Sequence, residues 1–195
     1  MPISKRTGFV IVAVVALSAT VFGRADAADD EAVQKKLAPI IDCINRSDVR
    51  LQQNFDRYRW MLNNMKNRGE TSMSGGGFED GDSRLANALK CADDFDQAVK
   101  ASPKIEDLDR AASDYATAIR ALAPLGVETD RYYNQNDYKD DKWAKGRELD
   151  GKLQPLIEKL EQASDGLHAG VKRELKSIRL RQLPTACRSD WDRHE

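Results

Sequence analysis

Residues 149–181 read LDGKLQPLIEKLEQASDGLHAGVKRELKSIRLR and carry the most regular hydrophobic pattern of the chain. Apolar side chains recur every three or four residues, at Leu149, Leu153, Leu156, Leu160, Ala163, Leu167, Val171, Leu175 and Ile178. This spacing places them on one face of an α-helix. A helix from Lys139 to Arg181 would be about 60 Å long. The stretch therefore predicts a long amphipathic helix that ends before Pro184.

Three upstream stretches show the same period. The first runs from Glu31 to about Asn67, with Trp60 off its apolar stripe, either packed at the edge or partly exposed. The second runs from Ser83 to Ala101, with its inward positions at Leu85, Leu89, Ala92, Phe95 and Val99. The third begins at Ile105 and continues through Leu122. Four amphipathic helices without strand-like alternation predict an all-α fold, an elongated antiparallel bundle of about four helices.

Prolines and glycines punctuate this pattern. Pro39 predicts a kink in the first helix or a helix that begins near it, and Pro124 with Gly126 predicts a kink or an end in the third. Residues 68–82, RGETSMSGGGFEDGD, predict one long glycine-rich surface loop. A phosphate-binding loop would need a Lys-Ser or Lys-Thr pair after the glycines, and none follows.

The N-terminal 27 residues have the pattern of a cleaved secretory signal peptide. Lys5 and Arg6 precede an apolar run from Gly8 to Phe22, and alanines stand at 25 and 27, where signal peptidase reads small side chains. The apolar run is shorter than the roughly 20 residues that span a bilayer, although a retained anchor is the alternative. We expect cleavage near Ala27, a bundle domain over 28–183, a polar tail over 184–195, and a periplasmic or secreted location.

Removal of that leader leaves a mildly acidic protein. The whole chain has 31 basic and 32 acidic residues, and residues 1–27 hold three of the former and one of the latter. The remaining 28 basic and 31 acidic side chains give a net charge of −3 with neutral histidines. Such a surface does not attract phosphate backbones in general, so nucleic acid is not an expected partner.

The three cysteines, Cys43, Cys91 and Cys187, allow three single pairings. Cys43 and Cys91 both flank the inward stripes of their helices, so a disulfide between them would join the first helix to the second. The alternative pairs Cys187 with the first helix, since the sequence does not determine connectivity. None has the C-x-x-C spacing of a redox pair.

Residues 132–149, YYNQNDYKDDKWAKGREL, combine aromatic and acidic side chains ahead of the last helix. This stretch resembles the signature of the YiiG-like domain-of-unknown-function family of bacterial envelope proteins and lipoproteins. The matching positions are Tyr132, Tyr133, Asp137, Tyr138, Lys139, Asp140, Asp141, Lys145 and Gly146, together with Asp42, Cys43, Asn45 and Cys91. The resemblance implies a helical bundle outside the cytoplasm without an established activity. Many relatives look lipid-anchored, whereas this chain has no lipobox cysteine.

The same stretch is the candidate site for a ligand or partner, through Tyr132, Tyr133, Asp137, Tyr138, Asp140, Asp141 and Trp143. An EF-hand count from Asp137 fails, because Lys139 and Lys142 occupy the third and sixth positions. The alternative is structural: Asp137 caps the last helix, Asp140 and Asp141 favour its N-terminus, and the aromatic rings pack the bundle end.

Catalytic and metal-binding patterns are weak. The chain has two histidines, His168 and His194, and neither follows a glutamate by three residues as di-iron bundles require. We expect His168 to be a surface residue, and we expect no cofactor and no enzyme. Basic residues near the end of the last helix, Lys172, Arg173, Lys176, Arg179 and Arg181, complement the helix dipole. Alternatively, they form a basic face for an acidic partner or a peripheral contact with an anionic membrane.

The sequence therefore predicts an exported, non-enzymatic interaction or scaffolding module that contacts an envelope protein. The alternative is a bundle that binds a small ligand or metal at its Tyr132–Trp143 end.

Overall fold

The computed structural model describes residues 18–68 and 81–183. These residues form α1 (Ser18–Cys43), a π-helical turn (Ile44–Asp48), α2 (Val49–Arg68), α3 (Gly81–Lys100), α4 (Glu106–Asn134), a 3₁₀ turn (Asp137–Lys139) and α5 (Ala144–Gln182). The predicted all-α fold is confirmed. The leader up to residue 17, the glycine-rich loop, Cys187 and the tail lie outside the described residues. None of the helices that the structure describes is both long and apolar enough to cross a bilayer.

Cross-helix pairs define an antiparallel bundle. Asp30 pairs with Arg181, and Arg59 pairs with Glu161, so the continuous α1–α2 rod runs antiparallel to α5. α3 runs antiparallel to α1, because Cys43 is bonded to Cys91 whereas Lys36 reaches the backbone beyond the end of α3. α4 packs along both α3 and α5. The layout is up-down-up-down, as short connections favour.

Large apolar side chains from every helix meet along the bundle axis. The α1–α2 rod contributes Leu37, Ile40, Leu51, Phe55 and Tyr58, and the other helices contribute Leu85, Phe95, Leu108, Tyr115, Ile119, Leu122 and Leu153, all with less than 2% of their surface exposed. The predicted stripes are therefore largely buried. Full burial of such a side chain contributes about 1.5–3 kcal/mol.

The prediction that Leu89 and Leu175 lie in the core is wrong. Leu89 is exposed because α3 turns Ala88 and Cys91 inward on either side of it. Leu175 is 44% exposed, since α5 buries Val171 and Ile178 instead. Trp60 is 68% exposed, in agreement with its position off the stripe.

Neither proline marks a helix end. α1 extends on both sides of Pro39, and α4 continues through Pro124 to Asn134. The predicted start and end at these residues are wrong, because burial of the neighbouring side chains outweighs the roughly 3 kcal/mol that an interior proline costs. Gly126 has a packing role: a Cβ there would lie 2.8 Å from the Leu85 side chain.

Candidate functional site

Five aromatic side chains form a compact group, the aromatic cluster, where α4 ends and α5 begins. Its members are Tyr58 from α2, Tyr132 and Tyr133 from α4, Tyr138 from the 3₁₀ turn and Trp143 from the turn before α5. Tyr138 stacks on Trp143 with ring centroids 4.2 Å apart, and Tyr132 meets Tyr133 edge-to-face at 5.0 Å. All five are buried, Tyr138 most exposed at 7%. The rings pack against one another at this end of the bundle.

The chain enters α5 through a tight turn. Lys142 and Trp143 have φ of 53° and 67°, in the left-handed region of backbone conformation that residues other than glycine rarely adopt. α5 consequently begins at Ala144 and not at Lys139, where the sequence pattern placed it. This conformation directs the Trp143 ring back onto Tyr138 and Tyr133.

Asp141 caps α5. Its Oδ2 accepts a hydrogen bond from the Lys145 backbone N–H at 2.9 Å, and its Oδ1 accepts one from the Tyr132 hydroxyl at 2.9 Å. Desolvation acts to raise the pKa of Asp141, but these hydrogen bonds outweigh it and hold the pKa below its usual range. The predicted cap, Asp137, lies in the 3₁₀ turn and is exposed, so that assignment is wrong. Asp140 is exposed as well.

Gly146 lets α5 approach the tyrosines closely. A Cβ at this position would lie 3.0 Å from Cε1 of Tyr132 and 3.1 Å from the Tyr133 hydroxyl. A side chain here would therefore push against two buried rings. The glycine of the sequence signature has a packing role at this contact.

The tyrosine hydroxyls at the cluster lie in a poorly solvated environment. Burial, the Tyr133 hydroxyl and the Asp150 carboxylate together raise the pKa of Tyr58 well above its usual range. Burial, and then the charge of Asp150, raises the pKa of Tyr133 to about 12. Burial also raises the pKa of Tyr132, and its hydrogen bond to Asp141 adds to the effect. These phenols stay protonated at neutral pH, and that of Tyr132 donates a hydrogen bond to Asp141.

An open groove of about 360 Å³, the outer groove, runs along the solvent side of the cluster. It is lined by Pro124, Val127, Glu128, Arg131, Tyr132, Asp137 and Lys145. Lys145 Nζ lies 2.9 Å from Glu128 Oε1, and this hydrogen bond raises the pKa of the lysine. Of the predicted site residues, only Tyr132 and Asp137 reach this groove.

A second polar site, which the sequence analysis missed, lies in the middle of the bundle. Asp48, at the end of the π-helical turn, is buried with 3% of its surface exposed. Its Oδ1 accepts a hydrogen bond from the Tyr115 hydroxyl at 2.9 Å, and its Oδ2 accepts one from Ser164 Oγ at 2.7 Å. His168 Nε2 lies 3.0 Å from the same Oδ2. We call these four side chains the aspartate layer.

A sequence signal for this layer exists. The inward stripe of the first helix steps by seven residues from Ile44 to Leu51, and Asp48 stands at the position that the period leaves empty. Ser164 and His168 are one turn apart on α5. The predicted surface histidine is 47% exposed at its side chain, yet its ring contacts the buried carboxylate.

The described residues contain no group of three or more histidine, cysteine, aspartate or glutamate side chains arranged to hold a metal ion.

A disulfide joins Cys43 and Cys91, whose Cα atoms are 5.5 Å apart. This is the first of the pairings that the sequence allowed, and Cys187 lies outside the described ranges. Of the basic residues in the second half of α5, Arg173 pairs with Asp107 and Arg181 pairs with Asp30.

Comparison with known proteins gives a family. A family profile described as "Protein of unknown function (DUF3829)" matches residues 31–183. The chain is 30% identical over 168 residues to the uncharacterized protein YiiG of Escherichia coli (strain K12), an alignment that covers 80% of this chain and 47% of YiiG. The chain thus spans about half the length of that curated relative. No solved structure matches the chain. The YiiG-like resemblance is therefore confirmed, and the chain belongs to the DUF3829 family of proteins of unknown function.

Proposed function

We propose that this protein is an exported, non-enzymatic interaction or scaffolding module of the bacterial envelope. The proposal rests on buried polar side chains that form hydrogen bonds and an ion pair between helices. Asp48 of the π-helical turn binds donors from α4 and α5. The Lys36 ammonium, buried in α1, contacts Asp109 Oδ1 at 2.6 Å and donates to the carbonyls of Ala101 and Pro103. Such groups fix helices against each other.

The aspartate layer contains a serine, a histidine and an aspartate, but not in the order that hydrolysis needs. In a catalytic triad the imidazole takes the proton of the serine and is oriented by the carboxylate. Here Ser164 donates its hydrogen bond to Asp48 Oδ2, which His168 also contacts. The serine is held by the carboxylate and is not activated by the imidazole, which favours a structural role for the layer.

Two features support export. The sequence of residues 1–27 has the pattern of a signal peptide, and cleavage after Ala27 would leave Asp30 and its ion pair with Arg181 in the mature chain. The disulfide between Cys43 and Cys91 is of the kind that persists in oxidising compartments.

Intact-mass analysis of the full-length gene product, expressed in a Gram-negative bacterium and separated into cytosolic and envelope fractions, tests the location. We expect the chain in the envelope fraction, beginning at Ala28 and two mass units lighter without reductant because of one disulfide. A chain that retains Met1 and has free thiols in the cytosol would overturn the export proposal.

A crosslinking comparison tests the interaction role. Trp60 is the most exposed of the large apolar side chains that the structure describes, and exposed tryptophans often anchor interfaces. We expect Trp60→Ser to abolish a specific crosslinked product formed in the envelope, whereas Leu175→Ser, at another exposed apolar position, retains it. Absence of any specific product with the unaltered chain would count against the proposal, as would equal loss in both variants.

A further inference from the structure

The outer groove has the size of a small-molecule site. Its volume of about 360 Å³ falls in the range of ligand pockets, roughly 300–1,000 Å³. Its lining combines four charged residues with Pro124, Val127 and Tyr132, which contribute apolar carbons. The Tyr132 ring is fixed in place, because its hydroxyl donates to Asp141 and its edge faces Gly146. A wall that is already fixed does not have to be ordered when a ligand binds.

The charged side chains of the groove differ in how far they are satisfied. Lys145 and Glu128 pair with each other. The Arg131 guanidinium has no ion-pair partner among the residues that the structure describes, and the Asp137 carboxylate accepts no hydrogen bond from them. Both are exposed. Asp137 lies near enough to Lys145 to contribute to its raised pKa. Among the described residues, the groove thus offers a guanidinium without an ion-pair partner and a carboxylate that accepts no hydrogen bond, together with the apolar carbons of Pro124 and Val127.

We infer that the outer groove binds a free amino acid with an apolar side chain. A guanidinium matches a carboxylate with two parallel hydrogen bonds, so Arg131 binds the ligand's carboxylate. Asp137 accepts hydrogen bonds from its ammonium group. The apolar side chain lies against Val127 and Pro124. The balance of two cationic and two anionic side chains in the lining favours a zwitterion over a simple anion or cation. This site is independent of the proposed interaction role.

Leucine and two neutralised analogues test the assignment. N-acetyl-leucine keeps the carboxylate and loses the ammonium charge, and leucinamide keeps the ammonium and loses the carboxylate. In a titration of the oxidised protein followed by amide chemical shifts, we expect leucine to bind saturably in the millimolar range. Each analogue should bind about two- to fivefold more weakly, since a pair between exposed charges contributes up to about 1 kcal/mol.

Matched variants identify the side chains. Arg131→Gln should weaken leucine binding about two- to fivefold and remove the preference for leucine over leucinamide. Asp137→Asn should weaken leucine binding to the same extent and remove the preference for leucine over N-acetyl-leucine. Arg110→Gln, on an exposed stretch of α4 away from the outer groove, should leave all three affinities unchanged. All three side chains are exposed, so the fold is retained, which circular dichroism checks.

Three results would each overturn the inference. The first is the absence of saturable leucine binding up to about 20 mM, a weaker affinity than a built site provides. The second is equal affinity for leucine and both analogues, which would indicate an apolar contact without charge recognition. The third is unchanged leucine binding in both Arg131→Gln and Asp137→Asn, which would locate the ligand elsewhere.

Discussion

Replacement of Gly146 by alanine tests the packing of the aromatic cluster directly. The added Cβ would lie 3.0 Å from Cε1 of Tyr132, 3.2 Å from its hydroxyl oxygen and 3.1 Å from the Tyr133 hydroxyl oxygen. Each distance is shorter than an ordinary van der Waals contact, so the rings must move by a few tenths of an ångström. Both rings are buried and in contact with other members of the cluster, which limits that movement.

The expected change in the free energy of unfolding follows from two opposing effects. Overpacking a filled core costs about 1–3 kcal/mol. Exchange of glycine for alanine in a helix gains up to about 1 kcal/mol, and less in the first turn, where Gly146 lies. Gly151, further along α5, is the matched control because a Cβ there meets nothing within 4 Å. We therefore expect Gly151→Ala to stabilise by about 0.5–1 kcal/mol and Gly146→Ala to be about 1–3 kcal/mol less stable than Gly151→Ala.

Urea unfolding of the oxidised proteins measures these free energies, with near-ultraviolet circular dichroism as a probe of the aromatic rings. The slope of the free energy against urea should be the same in both variants, so that a shifted midpoint reports stability alone. Equal stability of Gly146→Ala and Gly151→Ala would refute the close approach of α5 to the tyrosines.

Three further outcomes follow from the buried groups. Asp48→Ala leaves the Tyr115 and Ser164 hydroxyls without their acceptor and should lower the free energy of unfolding by about 2–6 kcal/mol, at about 1–3 kcal/mol for each unsatisfied donor. The exposed Asp56→Ala should lower it by less than about 0.5 kcal/mol, and similar urea midpoints would contradict the aspartate layer. Cys91→Ser should lower the same free energy by about 4 kcal/mol on the chain-entropy model, and an unchanged midpoint would argue against the disulfide. Above about pH 10 stability should fall, because tyrosines of the unfolded chain ionise there whereas the pKa of Tyr133 is raised to about 12. Below pH 10 the tyrosines are protonated in the folded and in the unfolded chain, so the loss of stability begins as the pH rises through 10. Phenolate absorbance that appears while the protein is still folded would contradict this.

The helical periodicity predicted the architecture because each helix has its own apolar stripe, and such stripes are local properties of the sequence. Helix ends were harder to predict. Pro124 and Gly126 are typical of a helix end, yet α4 continues because Gly126 accommodates Leu85 of a neighbouring helix. The entry into α5 depends on the left-handed backbone at Lys142 and Trp143, and lysine and tryptophan do not predict that conformation.

The sequence predicted only part of the candidate site, because only part of it is formed by residues that are close in sequence. The aromatic residues of the 132–149 segment were recognisable because they are close in sequence. The aspartate layer joins Asp48 to Ser164 across 116 positions, and only the packing of three helices brings its members together. The capping role moved from Asp137 to Asp141 because the turn before α5 is longer than the periodicity indicated.

The disulfide determines how this chain would respond to a pulling force. Cys43 and Cys91 are 48 positions apart, and the covalent bond carries tension directly from α1 to α3. Under a load applied at the two ends, the residues between them bear no force and contribute no extension. The stretched contour is shorter by about 160 Å, at roughly 3.3 Å for each residue removed from the load path. Reduction of one bond would restore that length, so the maximum reach of the unfolded chain depends on its redox state.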